Sequence, residues 1–423
     1  MNNKGEEMNS KVSNRRGERG AVRFLAMGAG IAALLVTGCG TATGSPGGSS
    51  TASSSPVPTV ASPTPTPTAR PASSSFQALV QYNFPDTAVA SGTTVRLYSS
   101  DTGVAQVVLI FPADSGGAQF IPDNRIAFIS GISWLDSSDL SGGTRREELN
   151  LNPDSTVGAS WIGAYDWSQN GTLAYLAVNE VGGTTITTKL VIRPAMGTAV
   201  TVALVDTGVS AVWGNSVAFA PDGNSVLLVD DLSGFTPGRT TGQSSVQVRG
   251  LDGTLRFAAP WDGKAATMPS DAVWGTDGRV YFWDSQGVSV ADPSTGLTRT
   301  LLPGVRWYDP SVSPDGRYIV FAVRDEQGLP TLELLDTATG NVVPGFGISA
   351  ASHATFVSDN VIWYHQEPAC SGDGCTRTGW STEPTGQTTQ VLDPLLSFDL
   401  STHSAGSVGM AGVVTDSRVL TAG

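Results

Sequence analysis

Aromatic side chains stand beside acidic groups at several places in this sequence, close to the starts of apolar runs. An aromatic ring offers a flat contact surface to a sugar ring or an extended peptide, and a neighbouring carboxylate accepts directional hydrogen bonds. The pattern predicts a ligand-binding face whose members are Trp161, Trp213, Trp261, Trp307, Tyr308 and Asp309. Packing between repeated structural units is the alternative role for each ring.

Three side chains in the same parts of the sequence could exchange protons with a ligand: Asp262, Asp309 and His353. They are the candidate acid or base groups if the protein is an enzyme. The sequence contains no G-x-S-x-G, H-E-x-x-H or P-loop motif, which disfavours several common enzyme classes. A site assembled from one residue per repeat would leave no linear motif, so catalysis stays an alternative.

Metal and cofactor sites are not predicted. The chain has three histidines, His353, His365 and His403, too few to suggest a zinc site. The acidic stretches at 136–139 and 230–231 lie in segments that we expect to be loops, and neither has the spacing of an EF-hand. We interpret them as solvated carboxylates rather than as calcium ligands.

The elements that would position the candidate residues are β-hairpins with a common turn. The stretch Ser311–Val323 reads SVSPDGRYIVFAV, in which two runs of strand-forming residues flank a Pro-Asp-Gly turn. Proline fixes φ early in such a turn, aspartate bonds to its own backbone, and glycine accepts a positive φ. The turns of six further copies contain Asp123, Asn170, Asp222, Asp277, Asp359 and Asp416.

A second set of hairpins alternates with the first. Its members are 95–108, 149–161, 190–204, 246–257, 288–301, 332–343 and 395–408. One hairpin of each set makes a four-stranded unit, and the mean spacing of roughly 49 residues between turns is typical of β-propeller blades. The first and last hairpins are left single, and their pairing would complete a blade and close the ring. We predict an all-β propeller of seven blades over residues 76–423, with six blades as the alternative.

The turns Ser313–Gly316 and Ala220–Gly223 resemble the repeat of TolB-like propellers, a family with WD-like repeats. The resemblance implies the propeller fold and suggests an envelope-associated interaction role. A repeat of this kind is specific for a fold and nearly silent about activity.

The N-terminal residues 1–38 have the order of an export signal: clustered arginines, an apolar run at 24–36, and the sequence LVTG before Cys39. This end resembles the lipobox of bacterial lipoproteins, which implies cleavage before Cys39 and a lipid anchor on its sulfur. An uncleaved anchor and an ordinary secretory signal are the alternatives. Residues 39–75 are rich in Ser, Thr and Pro, and we predict a disordered tether.

Each of these alternatives places the propeller outside the cytoplasmic membrane. Cys370 and Cys375 are therefore predicted to form a disulfide. The net charge of −13 disfavours nucleic-acid partners. We expect a lipid-anchored module on the extracytoplasmic face of a bacterial membrane, which binds an envelope protein, peptide or glycan. A propeller hydrolase or lyase acting on a glycan, lactone or peptide is the alternative.

Overall fold

A computed structural model describes residues 75–87, 90–112, 116–151, 159–181, 185–207, 216–229, 246–260, 270–326, 328–366, 380–382, 388–390, 394–411 and 413–420. The export signal, the tether and the acidic stretch 230–231 lie outside these ranges. So do Trp213, Trp261, Asp262, Cys370 and Cys375. The predicted disulfide and lipidation therefore stay predictions.

The described strands form seven antiparallel blades in a ring, as the repeat predicts. From the channel outwards, the strands of blades 1 to 4 are β31 (Val413–Val419), β1 (Phe76–Thr87), β2 (Ala90–Ser99) and β3 (Val104–Pro112); β4 (Gly116–Ile121), β5 (Arg125–Ser130), β6 (Trp134–Asp139) and β7 (Arg146–Asn150); β8 (Ala159–Trp167), β9 (Leu173–Val181), β10 (Thr185–Arg193) and β11 (Val200–Thr207); β12 (Ser216–Phe219), β13 (Ser225–Val229), β14 (Val246–Gly250) and β15 (Leu255–Ala258).

Blades 5 to 7 continue in the same order. Their strands are β16 (Ser270–Trp274), β17 (Val280–Asp284), β18 (Gly287–Asp292) and β19 (Leu297–Pro303); β20 (Tyr308–Val312), β21 (Tyr318–Arg324), β22 (Pro330–Asp336) and the short β23 (Asn341–Val342) and β24 (Ile348–Ser349), which both pair with β22; β25 (Ala351–Phe356), β26 (Val361–Gln366), β29 (Pro394–Asp399) and β30 (Ser404–Ala411). A separate hairpin, β27 (Trp380–Thr382) and β28 (Thr388–Gln390), lies between β26 and β29 in sequence, and a 3-10 turn (Pro122–Asn124) joins β4 to β5.

The turn between the first and second strands explains why the repeat folds as it does. In blade 6, the Gly316 N–H donates to the Ser313 carbonyl at 2.7 Å, and the Asp315 carboxylate accepts the Arg317 N–H at 3.0 Å. Gly316 has a φ of 73°, and a Cβ there would lie 1.6 Å from the Thr276 hydroxyl of blade 5. Glycine is therefore required both for the turn and for the close approach of two blades.

The core lies between adjacent sheets, because alternate residues of a strand face opposite sides. Between blades 5 and 6, for example, Tyr281, Trp307, Ile319 and Phe321 are almost completely buried and belong to one apolar cluster. Burying one such side chain contributes about 1.5–3 kcal/mol, so the stack of blades is stabilised mainly by its inter-sheet contacts.

The ring closes through blade 1, whose strands come from both ends of the domain. The register pairs Phe76 with Val419 and Gln81 with Val413. The predicted closure is confirmed, but the prediction of a C-terminal hairpin is wrong in detail. The C-terminal part supplies the single strand β31, Asp416 lies inside that strand rather than in a turn, and β1 supplies the second strand.

Blade 2 corrects another prediction. Its outer hairpin is β6 with β7, so the expected hairpin at 149–161 instead spans the end of β7 and the start of β8. The acidic stretch Asp136–Asp139 lies in β6 and not in a loop. The Asp139 carboxylate accepts hydrogen bonds from the N–H groups of Ser141, Gly143 and Thr144, which hold the turn to β7.

The described part of the chain contains no helix that is long and apolar enough to cross a membrane. Within the same residues, no group of three or more His, Cys, Asp or Glu side chains has an arrangement that could hold a metal ion.

Candidate binding rim

The upper rim is the edge of the ring at which the first strands begin and the second strands end. In blades 5, 6 and 7 the first strand is interrupted there by a β-bulge, at Asp271, Asp309 and His353. These three residues have left-handed backbones, with φ of 48°, 48° and 49°. Such a conformation costs a non-glycine residue about 1–2 kcal/mol. Bulges of this kind re-aim side chains and occur next to functional sites.

Asp309 and His353 meet across the boundary between blades 6 and 7. The distance from His353 Nδ1 to Asp309 Oδ2 is 3.1 Å, and the two side chains are 61% and 51% exposed. Hydrogen bonding by His353 is the main cause that lowers the pKa of Asp309, and the charges of His353 and Arg324 lower it further against the effect of burial. The His365 ring lies edge-on to His353, with 6.2 Å between centroids. Asp309 is therefore an ionised carboxylate that holds an imidazole at an exposed edge.

Two arginines extend this cluster toward blade 5. The Arg306 guanidinium carbon lies 4.6 Å from the Trp283 ring centroid and 5.1 Å from that of Tyr308. The guanidinium carbon of Arg324 lies 5.5 Å from the Tyr308 centroid. Both arginines are exposed, whereas the two rings are half-buried. Stacking engages the faces of a guanidinium and leaves its N–H edges available to a planar anion.

The structure brings together only some of the residues predicted from the sequence. Tyr308, Asp309 and His353 lie in the rim cluster. Trp161 is half-buried in β8 of blade 3, away from them. Trp307 is completely buried, its indole N–H donates to the Asp271 carbonyl at 3.0 Å, and its ring packs on Phe321. A ring buried between blades offers no face to a ligand, so we leave Trp307 out of the proposed site.

The sequence reasoning missed Asp271, Trp283, Arg306 and Arg324. One signal could have identified Asp271: it lies four residues before the start of its turn, as do Asp309 and His353 in their own repeats. Trp283 and Arg324 lie at the ends of second strands, and Arg306 lies in the connection between blades 5 and 6. Nothing in the repeat pattern marks those positions.

Two further carboxylates missed by the sequence reasoning lie deep in the first strands, toward the lower face, where the turns between first and second strands lie. Asp166 in blade 3 accepts the N–H groups of Phe219 at 2.6 Å and Trp167 at 2.8 Å. Asp416 in blade 1 accepts those of Phe120 and Ser417, both at 2.7 Å. Each carboxylate therefore joins its own blade to the next one.

Burial dominates the electrostatics of these two groups. It raises the pKa of Asp166 to about 6 and that of Asp416 to about 7, against the lowering effect of their backbone hydrogen bonds. The charge of Asp166 adds to the rise at Asp416, and that of Arg418 opposes it. Tyr165 also faces both carboxylates, and burial holds its pKa well above the ordinary range. Both residues are half-buried, and each carboxylate is already bonded to backbone N–H groups of two adjacent blades, so we interpret them as joints of the ring.

Comparison with solved structures supports the fold. Over 82% of its length the chain is similar to a puromycin-hydrolysing peptidase of Mycobacterium tuberculosis, with 13% identity and a TM-score of 0.52. Over 81% it is similar to a puromycin hydrolase, with 16% identity and a TM-score of 0.50. The chain spans 53% of each of these proteins. A TolB of Acinetobacter baumannii matches 65% of both chains, with 18% identity and a TM-score of 0.39.

No protein-family model and no curated protein matches the sequence. At these levels of identity, the likeness to the two hydrolases indicates a shared propeller fold alone.

Proposed function

We propose that this chain is a lipid-anchored β-propeller on the extracytoplasmic face of a bacterial membrane, where it binds an envelope glycan, peptide or protein through the upper rim of blades 5 to 7. The observation that carries the proposal is the exposed Asp309–His353 pair on two strained bulges. A first-strand bulge also occurs in blades 2 and 3, and in blade 2 Gly117 has the same left-handed backbone, so the bulge belongs to the repeat. Blades 6 and 7 differ in the side chains that the bulge carries: a carboxylate and an imidazole, paired at an exposed edge where a ligand could reach both.

The path of the chain supports a presenting role. The strand β1 starts at the lower face, since Phe76 pairs with Val419 at the end of β31. The Leu420 N–H donates to the Ser75 carbonyl at 2.7 Å, so both ends of the domain lie on that side. Ser75, where the proposed tether would join the domain, therefore lies on the face opposite the upper rim.

A propeller hydrolase or lyase is the second candidate, because Asp309 and His353 form a hydrogen-bonded acid–base pair. In such an enzyme, the ionised Asp309 would orient His353 as a general base, since a carboxylate with a lowered pKa is a poor proton donor near neutral pH. The carboxylates whose pKa is raised, Asp166 and Asp416, are half-buried and bonded to backbone N–H groups, so neither is placed beside this pair as an acid.

The test uses the full chain, produced in a bacterium and purified from the membrane fraction in detergent. We expect it to bind a discrete subset of an array of envelope glycans and peptides. The Cys39→Ala variant should be absent from the lipid-labelled membrane fraction. An array without specific binding would overturn the binding role, and lipid labelling of the Cys39→Ala variant would overturn the proposed anchor.

A further inference from the structure

The arginines of the rim point to the chemistry of the ligand. We infer that Arg306 and Arg324 bind the carboxylate of an acidic sugar, while Asp309 and His353 contact its hydroxyl groups. This inference rests on the proposed binding function and names the ligand class of the same site.

Aromatic contacts hold Arg306 at the rim. It is exposed, yet its guanidinium lies within cation–π distance of both Trp283 and Tyr308. Among the described residues, it makes no hydrogen bond or ion pair with a carboxylate. Two aromatic contacts limit the movement of a long side chain, so the N–H edges are oriented before any ligand arrives.

The rim differs in charge from the rest of the protein surface. The protein has a net charge of −13, and its surface as a whole repels anions. On the rim, Arg324 lies against the other aromatic neighbour, with its guanidinium carbon 5.5 Å from the Tyr308 centroid. The Gly328 carbonyl accepts one of its N–H groups at 2.8 Å, which fixes its position. The charge of Arg324 also acts on the Asp309 carboxylate, whose negative charge His353 shares when it is protonated. Arg306, with Arg324 beside the same ring, therefore offers a local site for a planar anion such as a carboxylate.

The polar character of the rim favours a sugar over a peptide. A peptide needs apolar contacts for its side chains, and among the described residues the large apolar side chains exposed where second strands pass to third strands, Ile132 and Trp134, belong to blade 2. In a ring of seven blades, blade 2 lies across the channel from blades 5 and 6. Beside the arginines the rim instead offers the Asp309 carboxylate and the His353 imidazole, which suit hydroxyl groups.

The experiment measures binding of trigalacturonic acid, and of its methyl ester, to the full chain by calorimetry. The acid should bind at least about tenfold more tightly than the ester, and rising salt should weaken its binding. The Arg306→Gln variant should lose about tenfold in affinity for the acid, and Arg306→Lys should recover only part of that loss, because lysine lacks the planar fork.

Arg317→Gln is the matched control. Arg317 also stacks on a tyrosine of blade 6, with its guanidinium carbon 4.8 Å from the Tyr318 centroid, but it lies in a turn of the lower face. Its substitution should leave the affinity unchanged.

Equal binding of acid and ester, or equal losses in Arg306→Gln and Arg317→Gln, would overturn the inference. Binding of C-terminal peptide carboxylates on the array without binding of trigalacturonic acid would also overturn it, and the proposed binding function would stand. An array without any specific ligand would overturn the proposed function itself.

Discussion

Asp309 and Asp416 occupy first strands of the same ring, yet their surroundings differ in almost every respect. Asp309 is half exposed on a left-handed bulge and faces a histidine and an arginine, which lower its pKa. Asp416 is half-buried and bonded to two backbone N–H groups, and desolvation raises its pKa to about 7. The same residue type thus serves an exposed polar cluster in one blade and a joint between blades in another. The position along the strand decides between these roles: Asp309 lies at the start of β20, at the upper rim, and Asp416 lies further along β31, toward the lower face.

The first expected difference concerns stability. The Asp416→Ala variant should lose about 2–5 kcal/mol in the free energy of unfolding, because two half-buried N–H groups at the boundary between blades 1 and 2 lose their acceptor. The matched Asp309→Ala variant should lose less than about 1 kcal/mol, because its ion pair is exposed. Urea unfolding of both variants measures the difference. Equal losses of unfolding free energy in the two variants would contradict the distinction between Asp416, which joins two blades, and Asp309, which lies at the rim.

The second expected difference concerns pH. Asp166 and Asp416 have pKa values of about 6 and about 7 in the folded protein, above their unfolded value. The folded state therefore holds more protons, and stability falls as pH rises from about 4 to about 7. At about 1.4 kcal/mol per pKa unit, the two groups together give a loss on the order of 5–7 kcal/mol. The contribution of Asp309 to stability has the opposite pH dependence. Because its pKa is lowered in the folded protein, that contribution is lost only as pH falls below about 4.

Thermal unfolding at pH 5 and pH 8 measures this effect. The wild-type chain should lose more stability over that interval than the Asp166→Asn, Asp416→Asn double variant, which has no interior carboxyl group to titrate. Identical pH dependence in the two proteins would show that these carboxyl groups titrate normally.

The turn chemistry is what made the fold predictable from the sequence. A Pro-Asp-Gly turn is a local signal, and its recurrence identifies the blades without any knowledge of their packing. The outer hairpin of blade 2 was not predicted, because the sequence of β6 is polar and typical of a loop. Ser137, within it, is completely buried and bonds to the side chains of Arg125 and Glu148, which lie on neighbouring strands. Only the folded sheet supplies these partners.

The candidate site was predictable in part, for a similar reason. Asp309 and His353 follow the repeat, so their shared edge of the ring could be inferred. Arg306 and Arg324 lie outside the repeat pattern: Arg306 is two residues before Tyr308, and Arg324 reaches the same ring because β20 pairs with β21 within blade 6. The packing of blade 5 on blade 6 adds Trp283 to this cluster. The buried state of Trp307 is equally a product of that packing.

The most direct test of the account compares His353→Asn with Asp416→Asn in the full chain at pH 7, on the same glycan and peptide array and in the same thermal unfolding assay. Asparagine tolerates the left-handed backbone of residue 353. The account predicts that His353→Asn loses at least about tenfold in binding at an unchanged Tm. It predicts that Asp416→Asn changes the Tm and binds as the wild type does. Wild-type binding by His353→Asn, or lost binding by a folded Asp416→Asn, would contradict the claim that the rim binds and the interior holds the ring.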